Sequence, residues 1–111
     1  MKSNPIRTYQ EFWPFYVGQH LDKANRLLHF LGTSAALVCV VLAVVKSSWF
    51  FLAVPLCGYA FAWFGHFMFE KNRPATWTYP LWSLRGDFQM FALMSAGRMG
   101  AEIEQVTKAR G

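Results

Sequence analysis

Two long apolar segments, separated by a short polar break, dominate the hydrophobic pattern of the chain. They cover residues 27–45 and 49–69, and the break is Lys46-Ser47-Ser48. Each segment has about the ~20 residues that a helix rising ~1.5 Å per residue needs to cross a ~30 Å hydrocarbon core. Because lipid offers no partners to backbone N–H and C=O groups, such segments must be helical. The pattern predicts a transmembrane hairpin.

The hairpin places two histidines at the same depth. His29 precedes Lys46 by as many residues as His66 follows Trp49, so at ~1.5 Å per residue both lie ~25 Å from the turn. Ionisable groups at such a depth normally face the interior of the bundle or a polar cavity. We therefore expect His29 and His66 to lie level with each other, near the membrane face that also holds the termini.

Shorter segments flank the hairpin. Residues 9–20 are rich in aromatic side chains and contain Pro14; they are too short to span, and Trp and Tyr favour the membrane interface. They predict an interfacial helix with a kink at Pro14. Asp22 is a candidate N-cap of the first spanning helix. Residues 84–106, with Ser83 as a candidate N-cap, predict a last helix that begins along the membrane and ends in water.

The first spanning helix carries small residues on one face, namely Gly32, Thr33 and Ala36. Small residues let helices approach closely in lipid, but the same face could leave room for an acyl chain. The predicted fold is an all-α integral membrane bundle, with a transmembrane hairpin and two interfacial or partly inserted helices. We expect residues 1–111 to form a single membrane domain.

Composition and charge agree with a membrane protein. The chain is 54% hydrophobic and 15% charged, whereas charged residues make up ~25% of an average soluble protein. All basic residues except Lys46 lie outside the hairpin, which by the positive-inside rule predicts cytoplasmic termini. No basic run or stripe of base-stacking aromatics suggests nucleic acid as a partner. Cys39 and Cys57 fall within the apolar segments and are interpreted as packing residues.

The candidate chemistry lies in three histidines, His20, His29 and His66. The hairpin could gather them at the cytoplasmic side with nearby carboxylates, for which the candidates are Glu70, Asp22 and Asp87. Imidazoles with carboxylates suit a divalent metal of the iron, zinc or manganese type, and the carboxylates could hold the imidazole tautomers. The alternative is a purely structural hydrogen-bond network.

Two Asn-Arg pairs, at residues 25–26 and 72–73, flank the two hairpin histidines. Arg26 and Arg73 have two interpretations. They could clamp a carboxylate headgroup, because the planar guanidinium binds carboxylates through two hydrogen bonds. They could instead set the membrane topology and contact lipid phosphates. Arg73 also lies three residues after Glu70, where it could pair with that carboxylate.

These residues form a recognisable pattern. It consists of His20-x(4)-Asn25-Arg26-x(2)-His29-x(2)-Gly32 and Gly65-His66-x(3)-Glu70-x(2)-Arg73-Pro74-Ala75. The chain thereby resembles the small membrane proteins related to the fungal endoplasmic-reticulum 2-hydroxy fatty acid dioxygenase. Its stretch 65–90, GHFMFEKNRPATWTYPLWSLRGDFQM, is most similar to the short bacterial branch of that family.

The resemblance implies an iron(II)-dependent dioxygenase that uses O2 to remove one carbon from a 2-hydroxy fatty acid, by α-oxidation at the cytoplasmic face. It implies that His20, His29 and His66 bind the Fe(2+), with Glu70 as a further ligand or a supporting group. Arg26 or Arg73 would steady the carboxylate of the substrate. The implied location is the bacterial inner membrane.

Two other classes of function are compatible with the residues. A haem protein could use His29 and His66 as axial ligands, provided that the two rings face each other across a haem-sized gap. A non-enzymatic lipid-binding or assembly module would explain the aromatic segments and small-residue faces without a metal. A homo-oligomer is compatible with each of the three, since a two-helix hairpin buries little surface by itself.

Overall fold

The structure is a computed structural model that describes residues 6–110. Within this range the chain is helical and has no strand, as the hydrophobic pattern predicted. The α-helices of the described residues are α1 (Tyr9–Gly18), α2 (Lys23–Val45), α3 (Ala53–Gly65), α4 (Pro80–Ser95) and α5 (Met99–Arg110). The chain divides into two compact units, of which one is residues 20–74 and the other comprises the described residues before and after it.

The unit of residues 20–74 is the predicted helical hairpin. Helix α2 begins at the predicted cap, because the Asp22 carboxylate accepts a hydrogen bond from the backbone N–H of Asn25 at 3.1 Å. A 3-10 turn, Ser48–Leu52, leads from the connection into α3. Helices α2 and α3 then pack closely at Gly32, where an added Cβ would lie 2.9 Å from the Cβ of Phe61. A small residue is therefore required at this crossing, in agreement with the small-residue face.

Two helical segments of this unit, Lys23–Val45 and Ser48–Glu70, are long and apolar enough to cross a membrane. Only 17% of the most apolar stretch of each segment is buried. The core helix of a water-soluble protein would have most of its apolar side chains covered. Here they face outward instead, and large exposed examples include Val41, Val44, Leu52, Leu56 and Phe64.

The second arm of the hairpin ends in an irregular helical turn. After α3, residues His66–Glu70 form a single π-helical turn, and Lys71 then adopts a left-handed backbone conformation with φ 61° and ψ 38°. The backbone N–H of Asn72 donates to the backbone oxygen of His66 at 3.1 Å. Such π-turns occur frequently at functional sites, and this one begins at one of the candidate histidines.

The other unit packs α1, α4 and α5 around an apolar core. Its buried members are Phe12, Tyr16, Val17, Ala75, Met90 and Met99. Polar contacts connect its helices: the Tyr9 hydroxyl donates to Gln89 at 2.5 Å, and the Trp13 indole N–H donates to Glu102 at 2.7 Å. Helix α1 corresponds to the predicted helix at residues 9–20 and contains Pro14.

The C-terminal region differs from the single helix predicted over residues 84–106. Helix α4 already begins at Pro80, whose fixed φ suits a first helical position, so Ser83 lies inside the helix instead of capping it. Helix α4 ends at Ser95, and Gly97 has φ 72°. The N–H groups of Gly97 and Arg98 donate to the backbone oxygens of Met94 and Leu93, which is the Schellman arrangement that terminates helices.

Candidate metal centre

Three buried histidines meet in the unit of residues 20–74. His20 precedes the cap of α2, His29 lies in the second turn of α2, and His66 begins the π-turn after α3. Their exposed fractions are 0%, 6% and 2%. The ring centroid of His20 is 4.5 Å from each of the other two, and those of His29 and His66 are 4.9 Å apart. The prediction that His29 and His66 lie level is therefore confirmed, and His20 joins them.

The donor atoms of these rings suit a metal ion. Each histidine offers one imidazole nitrogen, and the three nitrogens lie within 4.8 Å of one another. Neutral imidazole is a ligand for iron, zinc, copper and nickel. Burial of the group also separates it from bulk water, so the residues present fit a metal ion of this class. Among the described residues this group contains neither Glu70 nor Asp22.

The ring of His66 has a defined partner. Its Nδ1 lies 2.7 Å from the side-chain Oδ1 of Asn72. An amide or carboxylate oxygen on the second nitrogen of a histidine is the usual companion of metal-binding imidazoles, because it selects the tautomer. Asn72 was not among the site residues predicted from the sequence, although it belongs to the second Asn-Arg pair.

Arg26 supports the segment that carries His20. Its Nη1 donates to the backbone oxygens of His20 and Leu21, both at 2.8 Å. The guanidinium thus holds the two carbonyl groups that precede Asp22, the cap of α2. Arg73 is exposed.

Glu70 lies against the start of α2. Its Oε1 accepts a hydrogen bond from the backbone N–H of Asp22 at 2.5 Å and one from the side-chain amide of Asn25 at 3.4 Å. The N–H groups at a helix start have no intrahelical acceptor, and a negative charge there is favourable. Asn25 is buried, and its Oδ1 contacts the position that a Cβ on Gly65 would occupy. Asn25 is thus a second supporting residue that the sequence interpretation missed.

Asp87, the other candidate carboxylate, belongs to the unit built from α1, α4 and α5. It accepts a hydrogen bond from the hydroxyl of Tyr16. Burial and the negative charge of Asp87 raise the pKa of Tyr16 well above its ordinary value. Within this unit Asp87 therefore holds a buried tyrosine in its protonated form.

The geometry of the histidines argues against a bis-histidine haem. Two imidazoles bound axially to one haem iron have ring centroids about 6 Å apart with the porphyrin between them. The centroids of His29 and His66 are only 4.9 Å apart. The gap that the haem interpretation requires does not exist in this structure.

A comparison with known protein families agrees with the motif pattern. The family described as "2-hydroxy-palmitic acid dioxygenase Mpo1-like" matches residues 6–99. The matched range includes the three histidines and their supporting residues. No curated protein and no solved structure matches the chain.

Proposed function

The chain belongs to the 2-hydroxy-palmitic acid dioxygenase Mpo1-like family, and on this premise we propose that it is an iron(II)-dependent dioxygenase of 2-hydroxy fatty acids. The proposed reaction shortens the acid by one carbon, as in α-oxidation. The observation that carries the proposal is the buried group of His20, His29 and His66. These three residues would hold the metal.

The proposed reaction balances with O2 as the single co-reactant. A 2-hydroxy acid and O2 yield the fatty acid that is one carbon shorter, CO2 and water. Oxidation of C1 and C2 of the acid releases four electrons in total. Reduction of one O2 to the oxidation level of water takes up the same four electrons. No additional reductant is needed. Iron(II) bound by the histidines would supply the redox and Lewis-acid chemistry that O2 requires.

The protein residues have three tasks in this proposal. Burial of the histidines excludes water from the reacting groups. Glu70 and Arg26 hold the segment that carries His20, since their hydrogen-bond partners are the backbone groups of residues 20–22. Arg73 is the stronger candidate for the substrate carboxylate, because its guanidinium is exposed and guanidinium binds carboxylates through two parallel hydrogen bonds.

We further propose that the hairpin is inserted in a bacterial inner membrane with both termini cytoplasmic. The low burial of its two apolar segments supports insertion, since exposed apolar surface of this extent is unfavourable in water. The acyl chain of the substrate would then extend along the hairpin or into the bilayer. A homo-oligomer is compatible with this arrangement.

The test uses detergent-purified protein loaded anaerobically with iron(II) and supplied with 2-hydroxypalmitic acid and O2. We expect pentadecanoic acid and O2 uptake in a 1:1 ratio, and loss of both in His66→Ala. Palmitic acid is the matched control substrate, since it lacks the hydroxyl. Binding of 2-hydroxypalmitic acid without product in the iron-loaded protein would contradict the enzymatic proposal and favour a lipid-binding module.

A further inference from the structure

Asn72 returns to His66 at the end of the hairpin and contacts it twice. Its backbone N–H donates to the backbone oxygen of His66 at 3.1 Å, and its side-chain Oδ1 lies 2.7 Å from the ring Nδ1. The π-turn and the left-handed Lys71 produce this return of the chain. A non-glycine residue with positive φ is uncommon, so the backbone adopts a less favourable conformation at the point where it brings Asn72 to the ring.

The contact determines the protonation of the imidazole. An amide oxygen can only accept a hydrogen bond, so the ring nitrogen that faces it must carry the proton. With the proton on Nδ1, the Nε2 atom of His66 keeps the lone pair that a metal ion needs. The reverse orientation of the amide would donate to Nδ1 and place the proton on Nε2, where it would block a metal.

On the basis of the metal-dependent function proposed above, we propose that Asn72 is a positioning residue for His66. It holds the imidazole in the Nδ1–H tautomer and restricts rotation of the ring, so that Nε2 is available to the ion shared with His20 and His29. Oxygen groups that hold a metal-binding histidine in this way typically change metal affinity by about 10- to 100-fold.

The tautomer is measured first, on metal-free protein in detergent, by NMR of 15N-labelled histidine. In the wild type we expect His66 in the Nδ1–H form. The signals of His66 are assigned as those missing from the spectrum of His66→Ala. Asn72→Asp keeps an acceptor oxygen and should keep this tautomer, whereas Asn72→Leu should shift the ring towards the Nε2–H form. A wild-type His66 with its proton on Nε2 would overturn the proposal without any variant.

Metal affinity is measured second, by titration with Zn²⁺ alone. We expect Asn72→Leu to bind about 10- to 100-fold more weakly than the wild type, and Asn72→Asp to bind within about threefold of it. Thr78→Leu, an exposed polar-to-apolar change outside the site, is the matched control and should bind as the wild type does. Unchanged affinity in a folded Asn72→Leu variant, with helicity verified by circular dichroism, would refute a positioning role.

Neither measurement depends on oxygenation, so the two proposals can fail separately. If the tautomer and Zn²⁺ results are as expected and no pentadecanoic acid forms, the role of Asn72 stands and the dioxygenase assignment fails. If the product forms and Asn72→Leu keeps both tautomer and affinity, the assignment stands and the role of Asn72 fails.

Discussion

The carboxylate of Glu70 accepts a hydrogen bond from the backbone N–H of Asp22, at 2.5 Å and across 48 residues of chain. The acceptor ends the second arm of the hairpin, and the donor caps the start of the first arm. One side chain therefore connects the π-turn that begins at His66 with the segment that contains His20. We interpret Glu70 as a support for the relative positions of these two histidines.

Replacement of Glu70 distinguishes this supporting role from direct metal binding. Glu70→Ala should lower the free energy of unfolding by about 1–3 kcal/mol, because hydrogen bonds to a charged acceptor are lost. Glu70→Gln keeps an acceptor oxygen and should lose less than half of that. Thermal unfolding in detergent gives the stabilities, and metal analysis at saturating iron should give one ion per chain in both variants. A Glu70→Gln protein that unfolds like the wild type but binds no iron would identify Glu70 as a ligand.

The two arginines should have separable effects. Arg26→Met removes the hydrogen bonds to the carbonyls of His20 and Leu21 and should weaken metal binding by about tenfold, as is typical for groups that support ligands. Arg73→Met should leave metal binding unchanged and raise the KM for 2-hydroxypalmitic acid by about tenfold or more, since a charge-assisted pair with the carboxylate is lost. Metal titration and steady-state kinetics on both variants measure this. The reverse assignment of the two effects would contradict the proposed roles.

Two glycines of α3 form a matched pair for packing. An added Cβ at Gly65 would collide with the Asn25 side chain, whereas one at Gly58 has nothing within 4 Å. We expect Gly65→Ala to reduce stability by about 1–3 kcal/mol through overpacking. Gly58→Ala should be neutral or stabilise by up to about 1 kcal/mol, because alanine favours the helix. Thermal unfolding of both variants in the same detergent provides the comparison, and equal destabilisation would exclude a special contact at Gly65.

Membrane insertion is testable at the start of α2 and at the connection that follows it. In a background with Cys39→Ala and Cys57→Ala, single cysteines are introduced at two exposed positions, Lys23→Cys and Ser48→Cys. In intact bacterial cells a membrane-impermeant maleimide should label Ser48→Cys and not Lys23→Cys, and after lysis it should label both. Labelling of Lys23→Cys alone in intact cells would indicate the opposite topology. Labelling of both cysteines in intact cells would exclude a spanning hairpin.

The buried Tyr16 predicts an alkaline loss of stability in its own unit. Its folded-state pKa is raised above the ordinary value of ~10 of the unfolded chain, so the folded state binds the phenol proton more tightly. This contribution to stability is complete below pH ~10 and is lost as the pH rises above it. Tyr16→Phe should be less stable at pH 8 by about 1–2 kcal/mol, because the hydrogen bond to Asp87 is lost. The difference from the wild type should shrink above pH 10 in urea or thermal unfolding, and a constant difference would contradict this prediction.

Several features followed from the sequence because they depend on local geometry. The rise of a helix is constant, so equal spacing from the turn was enough to place His29 level with His66. A carboxylate five residues before the first apolar segment was enough to predict Asp22 as the cap of α2. The extent of the two apolar segments likewise identified the arms of the hairpin. Each arm is one continuous stretch of the chain, so its length and composition can be read directly from the sequence.

The end of α4 just before Gly97 was locally encoded but was overlooked. Gly97 lies between α4 and α5 with a positive φ, which a glycine adopts without steric penalty. The prediction of one helix over residues 84–106 did not take this glycine into account. The sequence therefore contained this boundary, and the interpretation missed it.

The tertiary structure alone decided how the three histidines are held. His20 lies outside the helices, and its backbone is held by Arg26. The same applies to Glu70, whose contact with the start of α2 could not be inferred from its spacing. The amide of Asn72 reaches His66 because of the π-turn and the left-handed Lys71. Sequence periodicity determines which helix face a residue occupies, whereas these contacts depend on backbone irregularities and on segments that meet only when the hairpin closes.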